Sequence, residues 1–128
     1  MSRNTILLAD DDAAIRSIQK RILNGEFKEM IVDEFSNGTS LDERIRGKID
    51  NVTLIITDNE MPGISGSEII RRYAQKFNIP FILHYGGEEK IGEQAVTDGA
   101  FGYLTKPTDL PSYIDLVEGI SQIQKLIT

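Results

Sequence analysis

The sequence predicts an α/β protein built on a parallel five-stranded sheet. Short apolar runs alternate with segments of helical periodicity along the chain, and turn residues separate them. Parallel strands need long crossover connections, and five successive strand–helix pairs supply them through right-handed crossovers. The 128 residues suit one domain and no linker, repeat or low-complexity stretch divides them, so we expect one domain over residues 1–128.

Five apolar runs are expected to form the strands. The first stops at Asp10-Asp11-Asp12, and the second is weaker because two acidic residues interrupt it. The third is β-branched and apolar on both faces, as a central strand covered on both sides should be. Pro80 introduces the fourth strand, and Lys106-Pro107 breaks the fifth. The predicted strands are Thr5–Ala9, Met30–Phe35, Val52–Thr57, Phe81–Tyr85 and Gly102–Thr105.

The segments between these runs carry apolar residues at helical spacing. Asn24-Gly25 is expected to end the first helix and Asp98-Gly99 the fourth, because glycine is common just after a helix. The second helix is mostly polar and should lie at the surface, and either Ser65 or Ser67 would cap the third. The predicted helices cover residues 13–23, 40–48, 88–98 and 109–127, and the third is marked by the buried stripe Ile69, Ile70, Tyr73, Ala74 and Phe77.

The composition excludes several classes of protein. A formal net charge of −6 argues against a nucleic-acid surface, which needs an excess of Lys and Arg. No apolar run approaches the length of a membrane span, and the first residues do not form a signal peptide. The absence of cysteine rules out disulfides, thiol catalysis and Cys-based zinc sites, and it permits the cytoplasmic location that we expect.

Acidic residues and one lysine fall at the carboxyl ends of the predicted strands. Asp10 and Asp11 follow the first strand, Asp58 follows the third, and Lys106 follows the fifth. Ligands of parallel α/β sheets bind beyond these ends, so the three carboxylates should converge opposite the lysine if strands one and three are neighbours. Clustered carboxylates repel one another, and a hard divalent cation such as Mg²⁺, which prefers oxygen ligands, would offset that repulsion.

Each of these features also has an ordinary structural explanation when it is taken alone. An Asp-Asp-Asp run before a helix is often a turn, and Asp12 is expected to be the N-cap of that helix. The segment 58–63 could be a strand-to-helix loop with common turn residues, and Lys106-Pro107 alone is unremarkable. The combination favours a site, because surface patterning does not require all three features to fall at strand ends.

Together these motifs resemble the receiver domain of two-component response regulators, of which the CheY-like proteins are the single-domain form. The resemblance spans about residues 4–127, and it implies a doubly wound sheet with the flavodoxin-like strand order 2-1-3-4-5. The motifs that carry it are Ile6-Leu7-Leu8-Ala9-Asp10-Asp11, Asp58-x-x-Met61-Pro62-Gly63-x-x-Gly66, Pro80, Gly99-Ala100, Tyr103 and Lys106-Pro107.

The resemblance implies a role for each site residue. Asp58 matches the phosphoacceptor, which takes a phosphoryl group from a histidine kinase or a histidine phosphotransfer protein. Asp11 matches a direct Mg²⁺ ligand, Asp10 an acid that reaches the metal through water, and Glu60 a residue that binds the metal through its backbone carbonyl. Lys106 matches the residue that pairs with the phosphoryl oxygens, which is the electrostatic stabilisation that phosphoryl transfer requires.

The same resemblance also leads to expectations for three further residues. Tyr103 matches an aromatic residue that turns inward on activation. Pro107 matches a proline whose preceding peptide bond is often cis. His84 is expected to be a packed strand residue, because the histidine of the reaction belongs to the phosphoryl donor.

Tyr85 departs from the family pattern, which has Thr or Ser at this position with a hydroxyl that binds the phosphoryl group. Three outcomes compete. Tyr85 points outward while the amides of Gly86 and Gly87 bind the phosphoryl oxygens, or it lies over Asp58 and slows the chemistry, or the domain is an interaction module independent of phosphorylation. The side chain of Glu60 should face the mouth of the site, either as a solvated surface acid or as a group that repels the phosphoryl group or orients water.

The leading functional prediction is a switch that catalyses its own phosphorylation and dephosphorylation at Asp58 and so changes a surface that binds a downstream protein. The alternative is a degenerate receiver that binds partners without phosphorylation. A hydrolase is a third hypothesis, although Glu60 stands where the common haloacid-dehalogenase pattern has a second aspartate. We expect no DNA-binding output domain within these residues, and the last helix could offer a homodimer face.

Overall fold

The computed structural model describes residues 4–106 and 109–127, with side chains through residue 120. Its five parallel strands lie in the order β2-β1-β3-β4-β5, which confirms the predicted sheet. The strands are β1 (Thr5–Ala9), β2 (Ile31–Phe35), β3 (Val52–Asp58), β4 (Phe81–Tyr85) and β5 (Gly102–Thr105). The helices are α1 (Ala13–Glu26), α2 (Gly38–Arg46), α3 (Gly66–Tyr73), α4 (Glu89–Thr97) and α5 (Leu110–Ile127).

Helices cover both faces of the sheet, and each face buries its own apolar cluster. Alternate residues of a strand point to opposite faces. In β4, Leu83 and Tyr85 therefore belong to the cluster under α2, α3 and α4, whereas Ile82 belongs to the cluster under α1 and α5. The carboxyl ends of the central strands consequently lie between two helical layers, which is where the predicted site residues stand.

Helix α1 runs past its predicted end. It continues through Asn24 and Gly25 to Glu26, and the Phe27 N–H still donates to the Leu23 carbonyl at 2.8 Å. Gly25 is exposed and lacks the left-handed backbone that glycine commonly gives a helix end. The prediction that Asn24-Gly25 ends this helix is wrong, because burying Leu23 and Phe27 outweighs the weak helix-ending preference of the two residues.

Helix α2 is fixed to α3 by a buried acid. Asp42 is 4% exposed and accepts hydrogen bonds from the Tyr73 hydroxyl at 2.5 Å, from Arg46 at 2.8 Å and from Arg72 at 3.2 Å. Burial by itself would raise the pKa of Asp42, but the hydrogen bonds from Tyr73 and the two arginines outweigh it and lower that pKa. The face of α2 that meets the sheet is buried, so the prediction of a surface helix holds only for its outer face.

The remaining elements differ from the predicted bounds by small amounts at their ends. Helix α3 ends at Tyr73, so Phe77 of the predicted stripe lies beyond the helix, where it is partly buried. Pro107 and the peptide bond before it lie outside the described residues. Among the helices that the structure describes, none combines the length and the apolar character needed to cross a membrane.

Candidate functional site

The ends of β1, β3 and β5 bring three acids and one lysine together, as the sequence predicts. Carboxylate oxygens of Asp10, Asp11 and Asp58 all lie within 4.8 Å of one another. Lys106 Nζ lies 3.1 Å from Asp10 Oδ2 and 3.3 Å from Asp58 Oδ1. The strand order produces this cluster, because it places β1 and β3 side by side and β5 one strand beyond β4.

Burial gives the cluster unusual electrostatics. Asp10 is fully buried and Asp58 is 5% exposed, whereas Asp11 is exposed. Burial and the neighbouring Asp10 charge raise the pKa of Asp58 to about 6, although Lys106 and the Asn59 N–H act in the opposite direction. Burial also works to lower the pKa of Lys106, but its ion pairs with Asp10 and Asp58 raise that pKa overall.

The cluster has the donor set of a hard-cation site. Its ligand atoms are carboxylate oxygens, and the exposed Asp11 leaves one side in contact with solvent. Mg²⁺ fits such a set, since it prefers oxygen ligands and keeps several of its waters. Asp10, Asp11 and Asp58 are therefore the residues that could hold it. The exposed Glu60 follows in the β3–α3 loop, and its part as a carbonyl ligand stays a prediction.

The loop after β3 is tied to the start of α3. Asp58 Oδ1 accepts from the Asn59 N–H at 2.8 Å, and Asn59 Oδ1 accepts from both the N–H and the hydroxyl of Ser67. A Cβ on Gly66 would lie 2.2 Å from the Asp58 carbonyl oxygen, so only glycine allows this close return of the chain. Ser65 Oγ accepts from the third amide of α3, which decides the cap in its favour. The sequence gives no signal for the support by Asn59, because asparagine is common in loops.

The acids of the first loop divide their roles. Asp12 accepts from the N–H groups of Ala14 and Ile15, which confirms it as the N-cap of α1. Asp10 Oδ1 accepts from the Asp12 N–H at 2.9 Å, so the turn that starts the helix also orients the buried acid. Asp11 is left at the surface of the cluster. The structural interpretation of the Asp-Asp-Asp run is therefore confirmed for Asp12, whereas the metal-binding role of Asp10 and Asp11 stays a prediction.

Tyr85 is held in the core by α4. Its side chain is fully buried, so the outcome in which it points outward is wrong. Its hydroxyl accepts from the Gly92 N–H at 3.0 Å and donates to the Glu89 carbonyl at 3.3 Å. Its ring lies 6.0 Å from the ring of Tyr103, which is half-buried. The physical cause is strand parity, since the last residue of β4 falls on the α3–α4 face of the sheet.

The glycines after β4 stand beside the lysine. A Cβ on Gly86 would lie 4.0 Å from Lys106 Cβ, and Gly87 has a φ of 126°, a conformation that favours glycine. The Lys106 N–H donates to the Tyr85 carbonyl at 2.5 Å, which joins the ends of β4 and β5. Gly86 therefore lies at the cluster, although its contact with a phosphoryl group stays a prediction.

His84 occupies the opposite face of β4 from Tyr85. It is 5% exposed, and its ring packs edge-on against Tyr113 of α5 at a centroid distance of 5.8 Å. Burial, together with the charge of Lys106, lowers the pKa of His84 to about 4, so it is neutral at physiological pH. These observations agree with the expectation of a packed strand residue.

Comparison with known proteins agrees with this geometry. A family model described as the response regulator receiver domain matches residues 6–118, and the chain belongs to that family. It is 34% identical over 118 residues to the chemotaxis protein CheY of Halobacterium salinarum, covering 90% of this chain and 94% of that protein. It is 30% identical over 128 residues to the DNA-binding transcriptional regulator NtrC of Escherichia coli, covering 98% of this chain and 26% of that protein.

Solved structures agree on the fold. A response regulator receiver domain from Clostridium thermocellum superposes with a TM-score of 0.82 at 25% identity, covering 98% of this chain and 99% of that one. The chain thus spans nearly the whole length of the CheY relative but about a quarter of the NtrC relative. What is common to both relatives is the receiver domain of two-component response regulators.

Proposed function

We propose that this chain is a phosphoacceptor switch in which Asp58 receives a phosphoryl group from a phosphohistidine of a sensor histidine kinase or a phosphotransfer protein. One observation carries the proposal: the buried Asp58 carboxylate lies 3.3 Å from Lys106 and within 4.8 Å of the oxygens of Asp10 and Asp11. A structural role for Asp58 would not require a second buried acid beside it, since two such charges destabilise each other.

The proposed reaction asks little of the protein beyond position and charge. Asp58 attacks phosphorus, the bond from phosphorus to the donor imidazole nitrogen breaks, and the imidazole leaves with a proton from solvent. The ion pair and the Asn59 N–H both engage Oδ1, so we expect Oδ2 to be the attacking oxygen. Mg²⁺, when bound by Asp10, Asp11 and Asp58, supplies positive charge to the phosphoryl oxygens. Lys106, 3.3 Å from Asp58, would add its own positive charge.

The contacts at the end of β4 indicate how phosphorylation would change the surface of the protein. The Lys106 N–H, at the end of β5, donates to the Tyr85 carbonyl, and the Tyr85 hydroxyl is hydrogen-bonded to α4. A shift of Lys106 toward a phosphoryl group would therefore act on β4, α4 and β5. Tyr103 on the same surface is half-buried and lies against Tyr85. We propose that the β4–α4–β5 surface binds a downstream protein, and that the switch acts in the cytoplasm. A homodimer through α5 stays a prediction.

The test is incubation of the purified chain with Mg²⁺ and acetyl phosphate, followed by intact-protein mass spectrometry. We expect one phosphoryl group on the wild-type chain, none after removal of Mg²⁺ by EDTA, and none on Asp58→Asn. A companion variant, Asp98→Asn, removes an acid at the end of α4, away from the cluster, and should be phosphorylated like the wild type. Failure of the wild-type chain to take up phosphate from acetyl phosphate and from its cognate kinase would overturn the proposal.

The second candidate is an interaction module that needs no phosphorylation, and the engagement of Tyr85 with α4 favours it. A tyrosine hydroxyl bonded to two backbone groups of α4 is not available to the phosphoryl group unless it gives up those bonds. If Asp58→Asn binds the downstream partner as tightly as the phosphorylated wild-type chain, this second function is the correct one. Steady turnover of a small phosphoester would instead support the hydrolase hypothesis.

A further inference from the structure

A buried polar chain runs from α5 through α1 to the acid cluster. The Tyr113 hydroxyl donates to Gln19 Oε1 at 2.8 Å, and Gln19 Nε2 donates to Asp10 Oδ2 at 3.4 Å. All three residues are interior, since Gln19 is 3% exposed, Tyr113 is 4% exposed and Asp10 is fully buried. The chain thus extends the site away from solvent, toward the layer formed by α1 and α5.

Packing alone does not account for a glutamine at this position. Leu23, one turn along the same face of α1, is fully buried, and an apolar side chain at position 19 would extend that apolar surface but leave the Tyr113 hydroxyl without its acceptor. A buried amide is unfavourable unless its polar atoms find partners. Gln19 finds one on each side, and the partner of its amino group is the carboxylate of Asp10.

Tyr113 and Asp10 together decide which way the amide faces, because the Asp10 carboxylate can only accept and the Tyr113 hydroxyl is left to donate. A tyrosine hydroxyl that donates to Oε1 holds the carbonyl end of Gln19 toward α5 and leaves the amino end toward Asp10. The reversed amide would place a carbonyl oxygen against a carboxylate oxygen, which is repulsive. Tyr113 is itself held by its ring contact with His84, so the packing of α5 against β4 places the hydroxyl that donates to Gln19.

Gln19 shares its acceptor with Lys106. Asp10 Oδ2 accepts from both of them, and Asp10 Oδ1 accepts from the Asp12 N–H. Lys106 also pairs with Asp58, where the proposed phosphoryl group would arrive. When Lys106 turns to that group, Gln19 is the side chain that continues to hold Asp10 Oδ2.

We propose that Gln19, held between Tyr113 and Asp10, is a positioning residue that orients the Asp10 carboxylate for cation binding. This inference rests on the proposed function, in which Asp10 helps to hold Mg²⁺. Outer partners of metal-binding groups typically change metal affinity 10- to 100-fold when they are lost. Because the contact from Gln19 to Asp10 is long and Asp10 keeps two other donors, we expect the loss of Mg²⁺ affinity to lie at the lower end of that range.

The experiment measures the dissociation constant of Mg²⁺ for the unphosphorylated chain by isothermal titration calorimetry. Gln19→Met keeps the length of the side chain but removes the amide, and should weaken Mg²⁺ binding about 10-fold. Tyr113→Phe keeps the ring but removes the hydroxyl, so Gln19 Oε1 loses its donor, and we expect about a 2-fold loss of Mg²⁺ affinity. Val117→Ala is the control, since this residue of α5 packs in the apolar cluster under α1 and α5 and makes no polar contact with Asp10. It should lower Tm but leave Mg²⁺ affinity unchanged.

A second readout separates positioning from a merely structural role. The rate of phosphorylation by acetyl phosphate is measured as a function of Mg²⁺ concentration. Gln19→Met should raise the half-saturating Mg²⁺ concentration by the same factor as the dissociation constant, with the rate at saturation within 2-fold of the wild type. A loss of packing alone would lower Tm and leave that concentration where it was.

The outcomes separate this inference from the proposed function. If the wild-type chain binds Mg²⁺ and is phosphorylated but Gln19→Met, folded by its Tm, has unchanged Mg²⁺ affinity, the inference is wrong and the proposed function stands. If the wild-type chain binds no Mg²⁺ and takes up no phosphate, both are overturned. Should Gln19→Met fail to fold, Tyr113→Phe decides, because unchanged Mg²⁺ affinity in that variant contradicts the proposal that the hydrogen bonds from Tyr113 through Gln19 position Asp10.

Discussion

The hydroxyl of Tyr85 takes the place of a helix cap, and removing it gives a sharp test of the structure. In α1 and α3, the fourth residue of the helix donates to the carbonyl of the N-cap residue, and the N-cap side chain accepts a further amide. In α4 the N-cap is Glu88, whose side chain makes no capping hydrogen bond. The Glu88 carbonyl accepts from Ile91, and the Gly92 N–H donates to Tyr85 instead.

Tyr85→Phe should therefore destabilise the protein although it keeps the ring. The substitution leaves the buried Gly92 N–H without its acceptor and removes the hydrogen bond from the hydroxyl to the Glu89 carbonyl. Loss of a cap costs about 1 kcal/mol, and an unsatisfied buried donor costs about 1–3 kcal/mol. We expect the free energy of unfolding to fall by about 1–2 kcal/mol, which for a chain of this size lowers Tm by about 3–8 °C.

The assay is urea denaturation followed by circular dichroism, with Tyr103→Phe as the matched control. The Tyr103 hydroxyl lies 3.5 Å from a Glu89 side-chain oxygen in a solvent-exposed contact, so its loss should change stability by less than about 0.5 kcal/mol. If the two variants lose the same stability within that margin, Tyr85 does not cap α4. Its burial would then be a matter of apolar packing alone.

Three further predictions concern charge and close contact. Lys106→Met should slow phosphorylation of Asp58 by acetyl phosphate about 100-fold at saturating Mg²⁺, and a rate within 3-fold of the wild type would contradict its proposed role. The lowered pKa of Asp42 means that its contacts stabilise the fold above the unfolded-state pKa of about 4, and that this stability is lost as pH falls further. Asp42→Asn should therefore cost stability at neutral pH and much less at acid pH, as measured by urea denaturation across pH; a constant difference would refute this linkage. Gly92→Ala would place a Cβ 2.2 Å from a ring carbon of Tyr103, so it should destabilise by about 1–3 kcal/mol, and a second substitution, Tyr103→Ala, should remove most of that penalty.

Much of the site was predictable because its residues follow strands. A β-branched run such as Val52–Thr57 identifies a central strand by composition alone, and whatever follows it must lie at the carboxyl edge of a parallel sheet. With strands one and three as neighbours, that rule brings Asp10, Asp58 and Lys106 together, and the structure confirms the cluster. The end of α1 was not predictable, because a local Asn-Gly signal competes there with the burial of Phe27 against the sheet.

The sequence by itself determined the class of fold, the strand order through the family resemblance, and the acidic cluster with its lysine. Only the tertiary structure decided where Tyr85 points and which residues support Asp10. Strand parity could have assigned Tyr85 to a face of the sheet, but which helix amide donates to its hydroxyl depends on how α4 docks. Gln19 and Tyr113 are 94 positions apart, and nothing in either local pattern marks them as partners. Contacts of that kind come from the packing of one helix against another, which leaves no periodic signal along the chain.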